Sequence, residues 1–93
     1  MSNATQLLDA EVNGTNFVFG MTRSAYNKCI NAMGPTNKTV PFHNLLVSTI
    51  QADQKDELVK LLDENPGAEL SIGALVIDQY TPDLDIIVKK RTT

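Results

Sequence analysis

Tryptophan is absent from this chain of 93 residues, and cysteine and histidine occur once each, as Cys29 and His43. So few nitrogen and sulfur ligands cannot assemble a zinc site of the usual kind from one chain. A lone cysteine forms no intrachain disulfide, which fits an intracellular protein. Long apolar runs are missing too. None reaches the ~18 residues that a membrane-spanning helix needs, and no basic region followed by an apolar one opens the chain, so no signal peptide is expected. The five glycines stand apart, with neither a Gly-x-Gly-x-x-Gly nor a Walker pattern to cradle a phosphate. His43 has no Gly-x-Ser-x-Gly context to suggest a nucleophile. The adjacent carboxylates Asp56/Glu57 and Asp63/Glu64 lack the spacing of a metal loop. These absences leave no catalytic residue, cofactor or metal to expect, and the chain reads as a non-enzyme.

Charge is present but unevenly placed. Residues 12–52 hold Arg23, Lys28 and Lys38 and no acid, whereas residues 53–85 hold nine acids against Lys55 and Lys60. Lys89, Lys90 and Arg91 follow, and the net charge is −3. Three scattered basic residues are too few for a nucleic-acid footprint. An acidic half beside a basic half can steer a charged protein partner or a second copy of the chain. A solvated acidic helix face is the simpler reading of the same pattern. The length suits one domain with a small core, expected over about residues 6–90.

The longest apolar segment, residues 65–83, is the stretch around which the remainder is organised. Asn65 and Pro66 suit a helix start, and Thr81-Pro82 ends the helix because a residue before proline is pushed out of the α region. Leu70, Gly73, Ala74, Ile77 and Tyr80 share one face, with Ser71 and Asp78 on the wet side. Ile72 and Leu75 fit neither face cleanly, so the apolar stripe is wider than one core contact needs. Such a helix is central to its domain or packs on another chain as well. Leu70, Ile72, Ala74 and Val76 also alternate as a strand would; length and the proline-bounded ends favour the helix.

Asn13-Gly14 marks a hairpin over residues 6–20, because both positions of a type I′ turn require positive φ. That loop pairs Val12 with Thr15, Ala10 with Phe17 and Leu8 with Phe19, and puts all six on one face. Thr22 or Ser24 caps a first helix whose inward stripe is Tyr26, Cys29, Ile30 and Met33. Cys29 reads there as a small buried hydrophobe. After a loop, Pro41 opens a second helix with Phe42, Leu45, Leu46, Thr49 and Ile50 on its face. Asp53 caps a third that buries Leu58, Leu61 and Leu62, with Asp56 and Lys60 as a supporting i, i+4 pair. After the central helix, Leu84, Ile86 and Val88 alternate as an edge strand. The expected fold is α+β: the N-terminal hairpin plus the C-terminal strand form a small antiparallel sheet packed against four helices.

The candidate partner contacts are Ile72, Leu75, Val76 and Tyr80 on the central helix, together with His43. The histidine, beside Phe42, also reads as a surface or capping residue. Tyr26-Asn27-Lys28, Ile30-Asn31, His43-Asn44, Pro66-Gly67-Ala68 and Tyr80-x-Pro82-Asp83-Leu84-x-Ile86 together resemble a family of short bacteriophage tail assembly chaperones. The similarity spans most of the chain, from the hairpin to Lys90. It departs at Cys29, where an aromatic or aliphatic residue is expected. The resemblance implies a phage or prophage protein of the bacterial cytoplasm that binds the tape measure protein, or a tail tube protein, during tail morphogenesis. It also implies that a longer form can arise by ribosomal frameshifting near Lys89-Lys90. Self-association into a homo-oligomer and an unrelated small interaction module are the other readings; no nucleic-acid or membrane partner is expected.

Overall fold

The computed structural model describes residues 4–91. Strands β1 (Gln6–Val12) and β2 (Thr15–Met21) form an antiparallel hairpin. Asn13 and Gly14 have φ of 51° and 85°, the positive pair that a type I′ turn demands. The register pairs Val12 with Thr15, Ala10 with Phe17 and Leu8 with Phe19. Turn and hydrophobic pattern therefore select the same alignment. Phe17, Phe19 and Met21 have no exposed surface and, with Leu8, form the sheet's share of the core.

Among the described residues four helices follow: α1 (Arg23–Ala32), α2 (Thr39–Thr49), α3 (Lys55–Glu64) and α4 (Ala68–Tyr80), with a 3-10 turn at Ala52–Gln54 ahead of α3. The Thr22 hydroxyl caps α1 by accepting from the Ala25 N–H at 3.1 Å. Helix α2 starts two residues before Pro41. The proline is tolerated because the first N–H groups of a helix have no partner in it. Phe42, Leu45, Leu46, Thr49 and Ile50 are all buried, so α2 uses the face read from its sequence. Phe42, Leu45, Leu46 and Ile50 join the sheet residues, Leu58 and Leu62 of α3, and Ile72 and Val76 of α4 in one cluster.

The C-terminal strand does not form. The sheet has two strands, and residues 82–91 leave α4 as irregular, exposed chain. The outer edge of β2 is already taken by the segment after α2. Phe19 makes a β-bridge with Ile50, and the Gln51 N–H donates to the Val18 carbonyl at 3.0 Å. The Gln54 side chain then completes the edge. Its Oε1 accepts from the Val18 N–H at 2.9 Å, and its Nε2 donates to the Asn16 carbonyl at 2.7 Å. A carboxamide carries both donor and acceptor, so it replaces the peptide groups of a neighbouring strand.

This use of Gln54 corrects the start of the third helix as well. Asp53 lies inside the 3-10 turn, and α3 begins after Gln54 without a side-chain cap. Asn65 closes α3, donating from Nδ2 to the Leu61 carbonyl at 2.8 Å, and does not open α4. Asp56 and Lys60 form no ion pair; among the described residues the one closed pair is His43 with Glu69.

Helix α4 is rotated relative to the expected stripe. Ile72, Gly73 and Val76 are buried, Ile77 and Tyr80 are half-buried, and Leu70, Ala74 and Leu75 face outward. The cause is the contact at Gly73. A Cβ placed there would lie 2.7 Å from Phe42 Cγ and 3.0 Å from Phe42 Cβ. The α4 backbone thus rests directly on the Phe42 ring, and the residues flanking Gly73 on that side turn inward. Similarly, Ile30 of α1 is exposed, and Tyr26 instead packs its ring on Tyr80 with centroids 5.4 Å apart.

Two expected outcomes test this packing. Gly73→Ala gains up to about 1 kcal/mol of helix propensity but forces a methyl into Phe42, at a cost of about 1–3 kcal/mol. A net loss of stability in chemical denaturation is expected, and an Ala variant as stable as the parent would refute the close approach. Gln54→Ala leaves the Val18 N–H and Asn16 carbonyl without their protein partner and is expected to destabilise by about 1–3 kcal/mol. Faster hydrogen exchange at the Val18 amide would distinguish this cause from a general loosening.

Candidate partner-binding site

A groove of about 400 Å³ runs between α1 and α2. The two helices supply small or aliphatic side chains to its floor, including Ala25, Ala32 and Leu45, and cationic or ionisable ones to its rim, Lys28 and His43. Lys55, at the first position of α3, closes the rim. No carboxylate lines this groove. That follows from the sequence between residues 12 and 52, which has no acid to contribute. Chemically, the groove offers apolar area flanked by positive charge.

Cys29 lines the groove too but is itself buried. Desolvation pushes its thiol pKa up, so the neutral form predominates at neutral pH and the residue contributes packing. A reactive thiolate would need the opposite shift. His43 is half-buried, and its Nδ1 lies 3.5 Å from Glu69 Oε2 on α4. This contact ties the groove wall to the neighbouring helix. Among the described residues, no three His, Cys, Asp or Glu side chains converge on a point that could hold a metal ion. Among the described residues, no helix is long and apolar enough to cross a membrane.

Three of the five residues singled out in the sequence are brought together by the fold: Ile72, Leu75 and Val76 line a second groove, with Ile72 and Val76 also part of the chain's own core. Tyr80 is half-buried against Tyr26. His43 stands on the rim of the α1/α2 groove, while Leu75 stands on the far side of α4, 69% exposed, in that second groove beside β1. The sequence reading missed Lys28 and Lys55 as a pair. They are 27 positions apart, and Lys55 sits in the acidic segment, where its local surroundings conceal the company it keeps in space. The acid-free stretch was the available signal for Lys28.

The family model described as phage tail assembly chaperone matches residues 8–90, a span that begins in β1 and includes the groove and most of the C-terminal tail. No curated protein matches the chain. Among solved structures, the uncharacterised protein rbstp2171 from Bacillus stearothermophilus is similar at a TM-score of 0.67 and 21% identity, over 90% of this chain and 90% of that chain. At that identity the likeness is one of fold. With a family match over nearly its whole length, the chain belongs to the phage tail assembly chaperone family.

Proposed function

We propose that the chain binds the tape measure protein in the cytoplasm of the bacterial host during tail assembly, without catalysing a reaction. The α1/α2 groove is the contact surface in this reading. Family membership supports the assembly role, and the observation that carries the choice of surface is the groove's combination of apolar floor and acid-free, lysine-bearing rim. Such a surface suits an amphipathic helix whose apolar face is flanked by Asp or Glu. Covering that face shields it from other chains, at roughly 25 cal/mol per Å² of apolar area before the cost of association is subtracted. Lys28 and Lys55 set orientation and speed of encounter more than final affinity. His43 is a rim contact of smaller weight.

Calorimetric titration with fragments of the tape measure protein tests this. Lys28→Glu combined with Lys55→Glu is expected to weaken binding about tenfold or more, corresponding to about 1.4 kcal/mol, and to flatten its salt dependence. His43→Ala should stay within a factor of a few, because the His43–Glu69 contact lies within the chain. Unchanged affinity in the folded double variant would remove the groove from the reading. Failure of the parent chain to bind any fragment would remove the tape measure protein itself.

A further inference from the structure

The second groove and the C-terminal tail are complementary in three respects, and among the described residues neither covers the other. The groove, about 270 Å³, runs between β1 and α4. Five consecutive residues, 8–12, line it. Since successive strand residues point to opposite faces, a groove that meets all of them runs along the strand's edge. Among the described residues β1 pairs with β2 alone. The Val18 N–H and C=O point away from β1, toward Gln54 and Gln51. Its partner Asp9, and Glu11 two residues on, therefore present their backbone groups to the outer edge of β1. That edge is an open template for an extended segment.

The groove is acidic. Asp9, Glu11 and Asp78 line it, and no lysine or arginine does. Leu75 supplies exposed apolar surface in its wall. The tail has the opposite character. Leu84, Ile86, Ile87 and Val88 are 64–90% exposed, an unusual density of uncovered aliphatic side chains, and Lys89, Lys90 and Arg91 follow directly.

The tail is also left uncovered by its own chain. The Thr81 N–H and hydroxyl both donate to the Ile77 carbonyl, each at 3.0 Å, and Pro82 then carries the chain outward. The molecule measures 58 × 31 × 23 Å with a radius of gyration of 15.5 Å, against about 12 Å for a compact chain of this length. Ten extended residues reach roughly 33 Å, enough to span a neighbouring molecule.

We propose that the C-terminal segment Leu84–Arg91 of one copy lies in the β1/α4 groove of a second copy. Its aliphatic residues cover Leu75 and its backbone adds to the free edge of β1. Its three cations meet Asp9, Glu11 and Asp78. The exchange is between molecules; within one chain the sheet keeps two strands. This contact uses neither the α1/α2 groove nor any property of the tape measure protein.

Charge exchange tests it, because the groups are exposed and their reversal spares the core. One variant carries Lys89→Glu, Lys90→Glu and Arg91→Glu; another carries Asp9→Lys, Glu11→Lys and Asp78→Lys. Analytical ultracentrifugation of the parent chain should show reversible, salt-sensitive self-association. Each variant alone, with helical circular dichroism and melting retained, should associate about tenfold or more weakly. An equimolar mixture should recover association as a hetero-oligomer, since each tail then faces a groove of opposite sign. A chain bearing all six changes should associate with itself again. The proposal is overturned if the parent remains monomeric at roughly 1 mM, or if the tail variant associates as well as the parent. It is also overturned if mixing the two variants restores nothing, as binding of the tail in its own groove or to an unrelated partner would require.

Discussion

A two-stranded sheet is too small to be stable in water by itself, and here the outer edge of β2 is the constraint on which the other elements depend. Ile50, Gln51 and Gln54 close that edge with a β-bridge, a backbone hydrogen bond and two bonds from one carboxamide. The same residues form the link from α2 to α3. Fixing the link to β2 sets α2 over the buried row of Phe17, Phe19 and Met21. It also places α3 so that Leu58 and Leu62 join the core. Three consequences trace to this closure: the 3-10 turn before α3, the missing side-chain cap on α3, and the exclusion of a third strand from that edge.

The second determining contact is between α2 and α4. Phe42 presents its ring where α4 has no side chain, and the helix backbone settles against it at Gly73. That approach chooses which arc of a broadly apolar helix turns inward. Ile72 and Val76 become core, and Leu75 is left outside although it is as hydrophobic as either. The surplus of apolar residues on α4 is therefore divided between two destinations, one inside the chain and one on a groove wall.

Charge segregation along the sequence becomes charge segregation in space. The acid-free stretch supplies both walls of the α1/α2 groove, and Lys55 completes its rim. The β1/α4 groove gathers acids from both ends of the chain. Two grooves of opposite character on one small protein allow two kinds of contact without competition. For a member of a phage tail assembly chaperone family, the proposed division is a partner helix in the first and a second copy's tail in the second. Neither contact requires a catalytic group, and the Cys29 thiol is buried in the core.

Much of the architecture was legible locally. The Asn13-Gly14 turn and the alternation around it determined the hairpin register, since a one-residue slip would have put Leu8 on the face opposite Phe17 and Phe19. Thr22 as a cap, the buried face of α2 and the end of α4 at Thr81-Pro82 were likewise readable, because each depends on neighbours within a turn or two of helix. The family too was legible in short motifs such as Tyr26-Asn27-Lys28 and Pro66-Gly67-Ala68, whose order and spacing belong to the chain itself. Tertiary structure alone decided the rest. A Gln54 amide standing in for a strand has no periodic signature, so the sequence offered Asp53 as the cap and Leu84–Val88 as a third strand of the sheet. The rotation of α4 depended on Phe42 meeting Gly73, a contact between residues 31 positions apart. The pairing of Lys28 with Lys55 and of Asp9 and Glu11 with Asp78 arose the same way. Periodicity and turn chemistry act over a few residues; which faces meet, and which charges share a groove, is settled by contacts between segments distant in the chain.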